Sequence, residues 1–267
     1  MATITVRIVG FLAAIIVAVP VQAASIASYR AVFDLGLGTS ARSSGVAALN
    51  GRLVLEWRDT CEGYIFAQRI RTEMTMYEGG PVTNDYMVNS WESRDGHQFR
   101  FSLKHFVNDA EVDLNRGTAR KGRAGEPGTV SFTSPADTEM ALPDDVIFPS
   151  EHNLILARQA IAGEQMVSAV VYDGSGAEGL NNTVAFIGRE LPAVSAGDNR
   201  FAAVVGQRSW PVRLAYFQTG KNRTVPVYEV GFRLFESGVP GDLSLEYADY
   251  SIVGRLKTLK IFPPPDC

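Results

Sequence analysis

The chain has 267 residues, of which 46% are hydrophobic, and its formal net charge is -4 at pH 7. This length suits one large all-β domain or two small ones, and the apolar fraction is enough for a sizeable core. The mildly acidic balance and the lack of a basic stripe argue against nucleic acid or an anionic membrane surface as a partner.

Residues 1–23 are a predicted secretory signal peptide. Arg7 supplies a positive charge, the apolar run IVGFLAAIIVAV follows, and VQA offers small residues for cleavage before Ala24. The apolar run is shorter than the roughly 20 residues of a membrane-spanning helix, which leaves an uncleaved anchor as the alternative. No later stretch of the sequence is long and apolar enough to span a membrane. We therefore expect an exported protein whose mature chain has no membrane-spanning segment.

Alternation of apolar and polar residues runs through most of the mature chain and predicts antiparallel strands with one buried and one wet face. Turn signals separate the strands, among them Asn50-Gly51, Gly79-Gly80-Pro81 and Asp95-Gly96. We predict roughly a dozen strands at this spacing. The polar stretches 115–128 and 195–200 are predicted surface loops. The strand segments are SYRAVFDLGL, GRLVLEW, GYIFAQRIRTEMTMY, HQFRFSLKHF, VYEVGFRLF and DLSLEYADY.

One segment, FPSEHNLILARQAIAGE, has apolar residues at a helical period and predicts a helix at about residues 150–162. Ser150 is the predicted N-cap and Gly163 the predicted C-terminal stop. An amphipathic helix must bury its apolar face, and the concave side of a curved sheet is the natural place. Because no linker separates the strands before and after the helix, we expect residues 24–267 to form a single domain.

The two cysteines, Cys61 and Cys267, are an even number in a chain expected to reach an oxidising compartment. This predicts an intramolecular disulfide that ties the C-terminus to the first third of the domain. Two free thiols, or an intermolecular bridge through the chain end, are the alternatives. A CxxC motif is absent, which argues against a thiol oxidoreductase.

Several blocks together resemble the EipB family (DUF1849), which supports cell-envelope integrity in alphaproteobacteria. These blocks are YRAVFDLGL, GRLVLEWRDTCEGY, DDVIFPSEH, VYDGSG and the C-terminal cysteine, and the resemblance spans about residues 28–267. It implies a periplasmic protein folded as a spiral-like, incompletely closed β-barrel. It also implies a Cys61–Cys267 disulfide and a role in the envelope without an established enzymatic activity.

Three side chains are the candidate functional residues: His152 in the first turn of the predicted helix, and Asp173 and Ser175 in the VYDGSG loop. The loop lacks the first glycine of a nucleophile elbow, so a turn is the simpler interpretation. His97 and His105 lie on the order of 26 Å apart along a strand, too far to share one metal ion. We predict no catalytic residue, no metal and no cofactor.

These observations support a non-enzymatic protein that binds an envelope protein, or an apolar or peptide-like ligand, in a groove beside the helix. One alternative is a lipid or lipoprotein carrier, by analogy with exported half-barrels that hold acyl chains. A second alternative is an envelope hydrolase that brings together Asp145, His152, Asp173 or Ser175.

Overall fold

The fold is mainly β. The structure is a computed structural model that describes residues 26–220 and 224–267, so the predicted signal peptide lies outside the described residues. The described chain forms fifteen strands, one α-helix and three short 3-10 helices. The strands are β1 Tyr29–Ser40, β2 Val46–Asp59, β3 Gly63–Met76, β4 Val82–Ser93, β5 Gln98–Val107, β6 Ala110–Arg120, β7 Gly128–Ser134, β8 Ala136–Leu142, β9 Val146–Ile147, β10 Met166–Tyr172, β11 Leu180–Ile187, β12 Ser209–Gln218, β13 Tyr228–Phe235, β14 Pro240–Glu246 and β15 Tyr250–Ile261. The helix α1 spans Pro149–Ala162, and the 3-10 helices span Arg42–Ser44, Gly176–Gly179 and Asn199–Val204.

All fifteen strands belong to one sheet, which is a nearly closed barrel with one unsealed seam. Its order is β8-β7-β6-β5-β4-β3-β2-β1-β15-β14-β13-β12-β11-β10-β9, so the pairing of β1 with β15 joins the two halves of the chain. Every pairing is antiparallel except that of β9 with β10. The edge strands β8 and β9 are close in sequence but do not pair with each other. The sequence therefore predicted the fold class, while it underestimated the number of strands.

The two ends of the sheet overlap at the seam, which gives the barrel its spiral shape. Tyr172 on β10 contacts Phe99 and Phe101 on β5, with ring centroids 6.3 and 5.6 Å apart. Thr183, paired with Ala169 of β10, faces the helix, so Tyr172 lies on the opposite face of β10. An apolar cluster thus holds the β5–β8 end of the sheet against the outside of β9 and β10.

The predicted Asn50-Gly51 turn is wrong, because both residues lie in the middle of β2. Gly51 pairs with Leu35 on β1 and with Thr72 on β3. A Cβ atom at Gly51 would lie 2.4 Å from the carbonyl oxygen of Arg71, so the glycine permits a close approach of two strands. The loop predicted at residues 115–128 is shorter than expected, because β6 continues to Arg120. The Gly79-Gly80 and Asp95-Gly96 turns lie between strands as predicted.

The helix α1 lies on the concave side of the sheet, within one residue of its predicted bounds. Leu156 and Ala160 pack with Trp210, Val212 and other residues of β10–β13. Its other apolar side reaches the β1–β2 wall, where Leu154 joins a cluster that includes Phe33 and Leu53. Burying these residues on two walls fixes the helix inside the barrel.

Ser150 is not the N-cap of this helix, contrary to the prediction. The helix begins at Pro149, Phe148 occupies the cap position, and no side chain at that position accepts a hydrogen bond. Gly163 ends the helix in the left-handed conformation, as predicted, with φ of 85°.

Candidate functional site

The concave face of the sheet is the candidate functional surface, because the helix leaves part of it uncovered. On β1 and β2 the inward side chains, such as Phe33 and Leu53, are fully buried. On β3, β4, β13 and β14 a set of side chains is only half-buried, although the register places them on the same face. The half-buried set is Phe66, Gln68, Ile70, Met74, Val88, Val230, Phe232 and Leu245. We call the space that these side chains face the lumen.

The N-terminus of α1 is held by a carboxylate from the sheet. Backbone N–H groups of Ser150 and Glu151 donate to Oε2 and Oε1 of Glu92, at 2.7 and 2.9 Å. Glu92 lies on β4 and is 2% exposed. Its burial raises its pKa to about 7, against the opposing effect of the two hydrogen bonds. Glu92, on a distant strand, therefore accepts the free N–H groups at the start of the helix, because no side chain at the cap position does so.

The candidate His152 is buried where the helix meets the sheet. Its Nε2 lies 3.4 Å from Oγ1 of Thr183, whose hydroxyl in turn donates to the carbonyl oxygen of Ala169. Burial lowers the pKa of His152 to about 4, so the ring is neutral at pH 7. Thr183 also pairs with Tyr216 of β12. Through Thr183, His152 therefore lies next to a group of tyrosines in the lumen.

Five tyrosines line the part of the lumen next to this contact. Tyr216 and Tyr228 stack with ring centroids 4.4 Å apart, and Tyr247 stacks with Tyr250 at 5.0 Å. Tyr228 and Tyr247 are 6.4 Å apart and connect the two pairs. Tyr86 lies on β4, and its hydroxyl interacts electrostatically with Tyr228 and Tyr247. We call Tyr86, Tyr216, Tyr228, Tyr247 and Tyr250 the tyrosine chamber.

A carboxyl group, Asp173, adjoins the tyrosine chamber. Burial raises its pKa, while hydrogen bonds from the Ser175 hydroxyl and backbone N–H to its Oδ1, at 2.6 and 2.9 Å, oppose that effect. The same carboxyl acts on the tyrosines, because after burial its charge raises the pKa of both Tyr86 and Tyr216. The charge of Asp173 therefore influences the pKa of hydroxyl groups in the tyrosine chamber.

The structure brings Asp173 and Ser175 together but does not join them to the other residues of the hydrolase hypothesis. The Ser175 hydroxyl donates to Asp173, and Nε2 of His152 contacts Thr183. Asp145 is exposed in the turn before β9. Within the described residues, no hydrogen bond links His152 to Ser175 or to Asp173, as a nucleophile and its base require.

Sequence reasoning missed Glu92 and the tyrosine chamber. Glu92 lies at an inward position of β4, a strand that was not among the predicted segments, so the sequence offered no local signal for its role. Tyr228 and Tyr247 lie at alternating positions of predicted strands, but the approach of the five tyrosines depends on how the sheet curls.

The predicted disulfide is present between Cys61 and Cys267, with their Cα atoms 5.8 Å apart. Cys61 lies in the turn between β2 and β3. The last strand leads directly to the tail, and the guanidinium of Arg58 lies 3.3 Å from the centroid of the Phe262 ring. The C-terminus is thus fastened to the edge of the lumen wall.

Other surfaces of the described residues are weaker candidates for a functional site. A shallow depression on the outer face of β2 and β3 is lined by Arg52, Arg69 and Arg71. These arginines already pair with the carboxylates of Asp34 and Asp85. Among the residues that the structure describes, no cluster of histidine, cysteine and acidic side chains could hold a metal ion, and no helix could cross a membrane.

Comparison with known proteins identifies the family. A family model described as EipB-like matches residues 20–263. The cell envelope integrity protein EipB of Brucella abortus (strain 2308) is 30% identical over 246 residues, which cover 90% of this chain and 86% of that protein. A crystal structure of a beta-barrel-like protein of the domain of unknown function DUF1849, also from Brucella abortus, superposes with a TM-score of 0.82 at 29% identity, over 90% of this chain and all of that one. The chain therefore belongs to the EipB-like family.

Proposed function

We propose that this protein supports the integrity of the cell envelope without catalysing a reaction, by holding an apolar ligand or an apolar segment of an envelope partner in the lumen. The observation that carries the proposal is the half-burial of inward apolar side chains on β3, β4, β13 and β14. The membership of the family and the name of its Brucella relative support the role in the envelope.

The physical reason is that apolar surface exposed to water inside a barrel is unfavourable in free energy. Each square ångström of apolar area removed from water stabilises a complex by about 25 cal/mol. Side chains such as Ile70 and Val230 keep part of their area accessible although the fold directs them inward. A ligand chain laid along β3 and β13 would recover that free energy, whereas polar solutes would not.

The first test is to fill the lumen and measure binding of a fluorescent fatty acid. Val88→Trp places a large side chain on the concave face, and Val54→Trp places the same side chain on the outer face as a matched control. We expect the wild type and Val54→Trp to bind the probe, and Val88→Trp to bind at least about tenfold more weakly with an unchanged melting temperature. The proposal fails if the wild type shows no saturable binding, or if Val88→Trp binds like the wild type.

A lipid or lipoprotein carrier uses the same surface and differs in what it holds. Native mass spectrometry of protein released from the periplasm, without refolding, separates the two cases. An added mass that organic solvent extracts would identify a carried lipid. A protein free of added mass that nevertheless binds an envelope protein through the lumen would favour a scaffold.

The proposal also includes a periplasmic location. The predicted signal peptide supports it, as does the Cys61–Cys267 bond, since disulfides form in oxidising compartments. Osmotic shock should release the chain with residues 1–23 removed. Retention of the full-length chain in the membrane fraction would contradict this part of the proposal.

A further inference from the structure

One outer wall of the barrel concentrates the basic side chains of the strands. The wall consists of the adjacent strands β5, β4, β3, β2, β1 and β15, and it is about 25 Å wide at the usual strand spacing. The pairing registers direct every lysine and arginine of these six strands outward. Ten basic residues but only four acidic ones therefore face outward here. We call the outward side chains of these six strands the basic face. Its members are dispersed in the sequence, which is why no basic stripe is visible there.

The carboxylates of the basic face organise its cations without neutralising them. Two of the carboxylates each form ion pairs with two cations. These are Asp34 with Arg52 and Lys257, at 3.1 and 2.9 Å, and Asp85 with Arg69 and Arg71, at 2.6 and 2.8 Å. Because one carboxylate balances only one cation, each group keeps a positive charge. Arg255 and Lys260 are exposed and form no ion pair with the residues that the structure describes. The residues outside the described ranges contain no aspartate or glutamate that could balance the excess.

The opposite wall lacks this excess. On β11–β14 the outward charged residues are Arg213, Arg233, Glu229, Asp242 and Glu246. The net charge of -4 therefore conceals an uneven distribution over the surface. Since α1 lies between the two walls, the acidic groups of the far wall are beyond the roughly 8–10 Å at which physiological salt screens charges. The basic face thus presents a positive potential to anything that approaches it.

The centre of the basic face is suited to phosphate groups. The depression on β2 and β3 has a volume of about 600 Å³, and Arg52, Arg69 and Arg71 line it. Guanidinium groups bind phosphate oxygens through paired N–H donors, and those that a carboxylate already orients lose less freedom on binding. Gly51 lies in the same depression, so no side chain fills its floor.

Apolar side chains accompany the cations near one end of the face. Ile65 on β3 points outward and is 43% exposed. It pairs with Trp91 on β4, and the guanidinium of Arg100 lies 4.9 Å from the ring centroid of Trp91. Tryptophan and arginine beside an exposed aliphatic side chain are typical of surfaces that lie in the headgroup region of a bilayer.

We propose that the basic face docks on a membrane surface that carries anionic phospholipid headgroups. Each lysine or arginine close to such a surface strengthens binding about fivefold, so several together suffice for reversible attachment. An acidic protein would also attract the cations, but Ile65 and Trp91 favour a surface with an apolar layer below its charges. The proposal goes beyond the proposed function, because an apolar chain can enter the lumen of the free protein, whereas docking determines which surface the protein visits.

The test is co-sedimentation of the mature protein with vesicles of phosphatidylcholine, with or without about 30% phosphatidylglycerol. We expect at least about tenfold tighter binding to the anionic vesicles at about 0.05 M salt, and loss of most of it at about 0.5 M. Arg255→Glu combined with Lys260→Glu should weaken this binding at least about tenfold. Arg189→Glu combined with Arg213→Glu changes the net charge equally beside β12 on the opposite wall and should have little effect.

The apolar contribution has its own matched pair. Ile65→Ser should weaken binding to anionic vesicles about threefold, because the side chain no longer enters the headgroup region. Phe186→Ser removes a side chain that is 54% exposed on β11 and should leave the binding unchanged. The melting temperatures of all variants should stay close to that of the wild type, since every substituted position is exposed.

Three results would overturn the proposal. They are equal binding to both kinds of vesicle, equal losses in the two double variants, and release of bound protein by inorganic phosphate but not by chloride at the same ionic strength. The last result would mean that the arginines recognise a soluble anion. Fatty-acid binding in the lumen separates this inference from the proposed function. A protein that binds the probe but no vesicle refutes docking alone, and one that binds anionic vesicles but no probe refutes the lumen proposal alone.

Discussion

Glu92 shows how one residue connects the sheet to the helix. Its carboxylate accepts the N–H groups of Ser150 and Glu151, and the positive end of the helix favours a negative charge at this place. Burial acts in the opposite direction and dominates, so the pKa rises from 4.5 to about 7. The cap therefore changes its charge in a range of pH that an exported protein encounters.

Replacing Glu92 with glutamine should change how stability depends on pH. Because the folded-state pKa lies above the unfolded value of 4.5, the folded protein binds more protons between pH 4.5 and about 7. The contribution of Glu92 is thus fully present below pH 4.5 and is lost as the pH rises to about 7, by up to about 3 kcal/mol. Urea unfolding across this range should show that fall in the wild type relative to Glu92→Gln.

Asp85→Asn is a suitable control, because this carboxyl pairs with Arg69 and Arg71 on the outer face and its pKa is lowered. Its stability difference from the wild type should be constant between pH 4.5 and 7. If the difference between the wild type and Glu92→Gln instead grew with pH, the hydrogen bonds would dominate over burial, contrary to our account.

Residue-level prediction from the sequence was limited by contacts between distant segments. Ser150 was a reasonable N-cap by type, but a proline follows Phe148 and the helix starts one residue earlier. The true acceptor is 58 positions away in the sequence. Local patterns contain no information on such a partner, and the same is true of the approach of Tyr86 to Tyr228.

Regular elements were predicted better, because periodicity depends on burial of one face and not on a particular partner. The helix at 149–162 and the alternating strands follow directly from this rule. The Asn50-Gly51 turn failed for a defined reason. The pair favours a tight turn in isolation, yet hydrogen bonding to β1 on one side and β3 on the other keeps it extended.

A pair of glycine substitutions tests this explanation. Gly51→Ala would bring its Cβ to 2.4 Å from the carbonyl oxygen of Arg71, so we expect a loss of roughly 1–3 kcal/mol, as for other overpacked positions. Gly36→Ala, which pairs with the neighbouring Asn50, meets its first atom at 4.0 Å and should be neutral or slightly stabilising. Chemical denaturation of both variants measures the contrast, and equal stabilities would contradict the close approach.

The helix offers a second test at the scale of elements. Leu156 is 1% exposed between the helix and β10–β13, so Leu156→Ala should cost about 2–5 kcal/mol in the free energy of unfolding. Asn153→Ala changes an exposed position of the same helix and should change stability little. A small loss in Leu156→Ala would mean that the helix is only loosely held in the barrel.

For the whole molecule, one pairing and one bond close the chain on itself. The first strand pairs with the last, and the Cys61–Cys267 bond joins positions separated by 206 residues. No strand pairing seals the seam; it is held by the packing of Tyr172 against Phe99 and Phe101 and by the hydrogen bonds from the start of the helix to Glu92. A barrel with a partly open lumen is stable only if such contacts hold its strands in place.

The disulfide should therefore stabilise the molecule chiefly by restricting the unfolded chain. In the chain-entropy model, closing a loop of this length contributes at most about 5 kcal/mol. Cys61→Ser, Cys267→Ser and the double variant should all lower the melting temperature, and the double variant should be no less stable than either single variant, since all three lack the same bond. Reductant should lower the melting temperature of the wild type and leave the double variant unchanged. The variants should nevertheless keep fatty-acid binding in the lumen while they are folded. Without the disulfide, the N–H of Phe262 still donates to the carbonyl oxygen of Ser28, and the Phe262 ring still stacks on Arg58. If binding is lost while the protein remains folded, the bond also shapes the lumen directly.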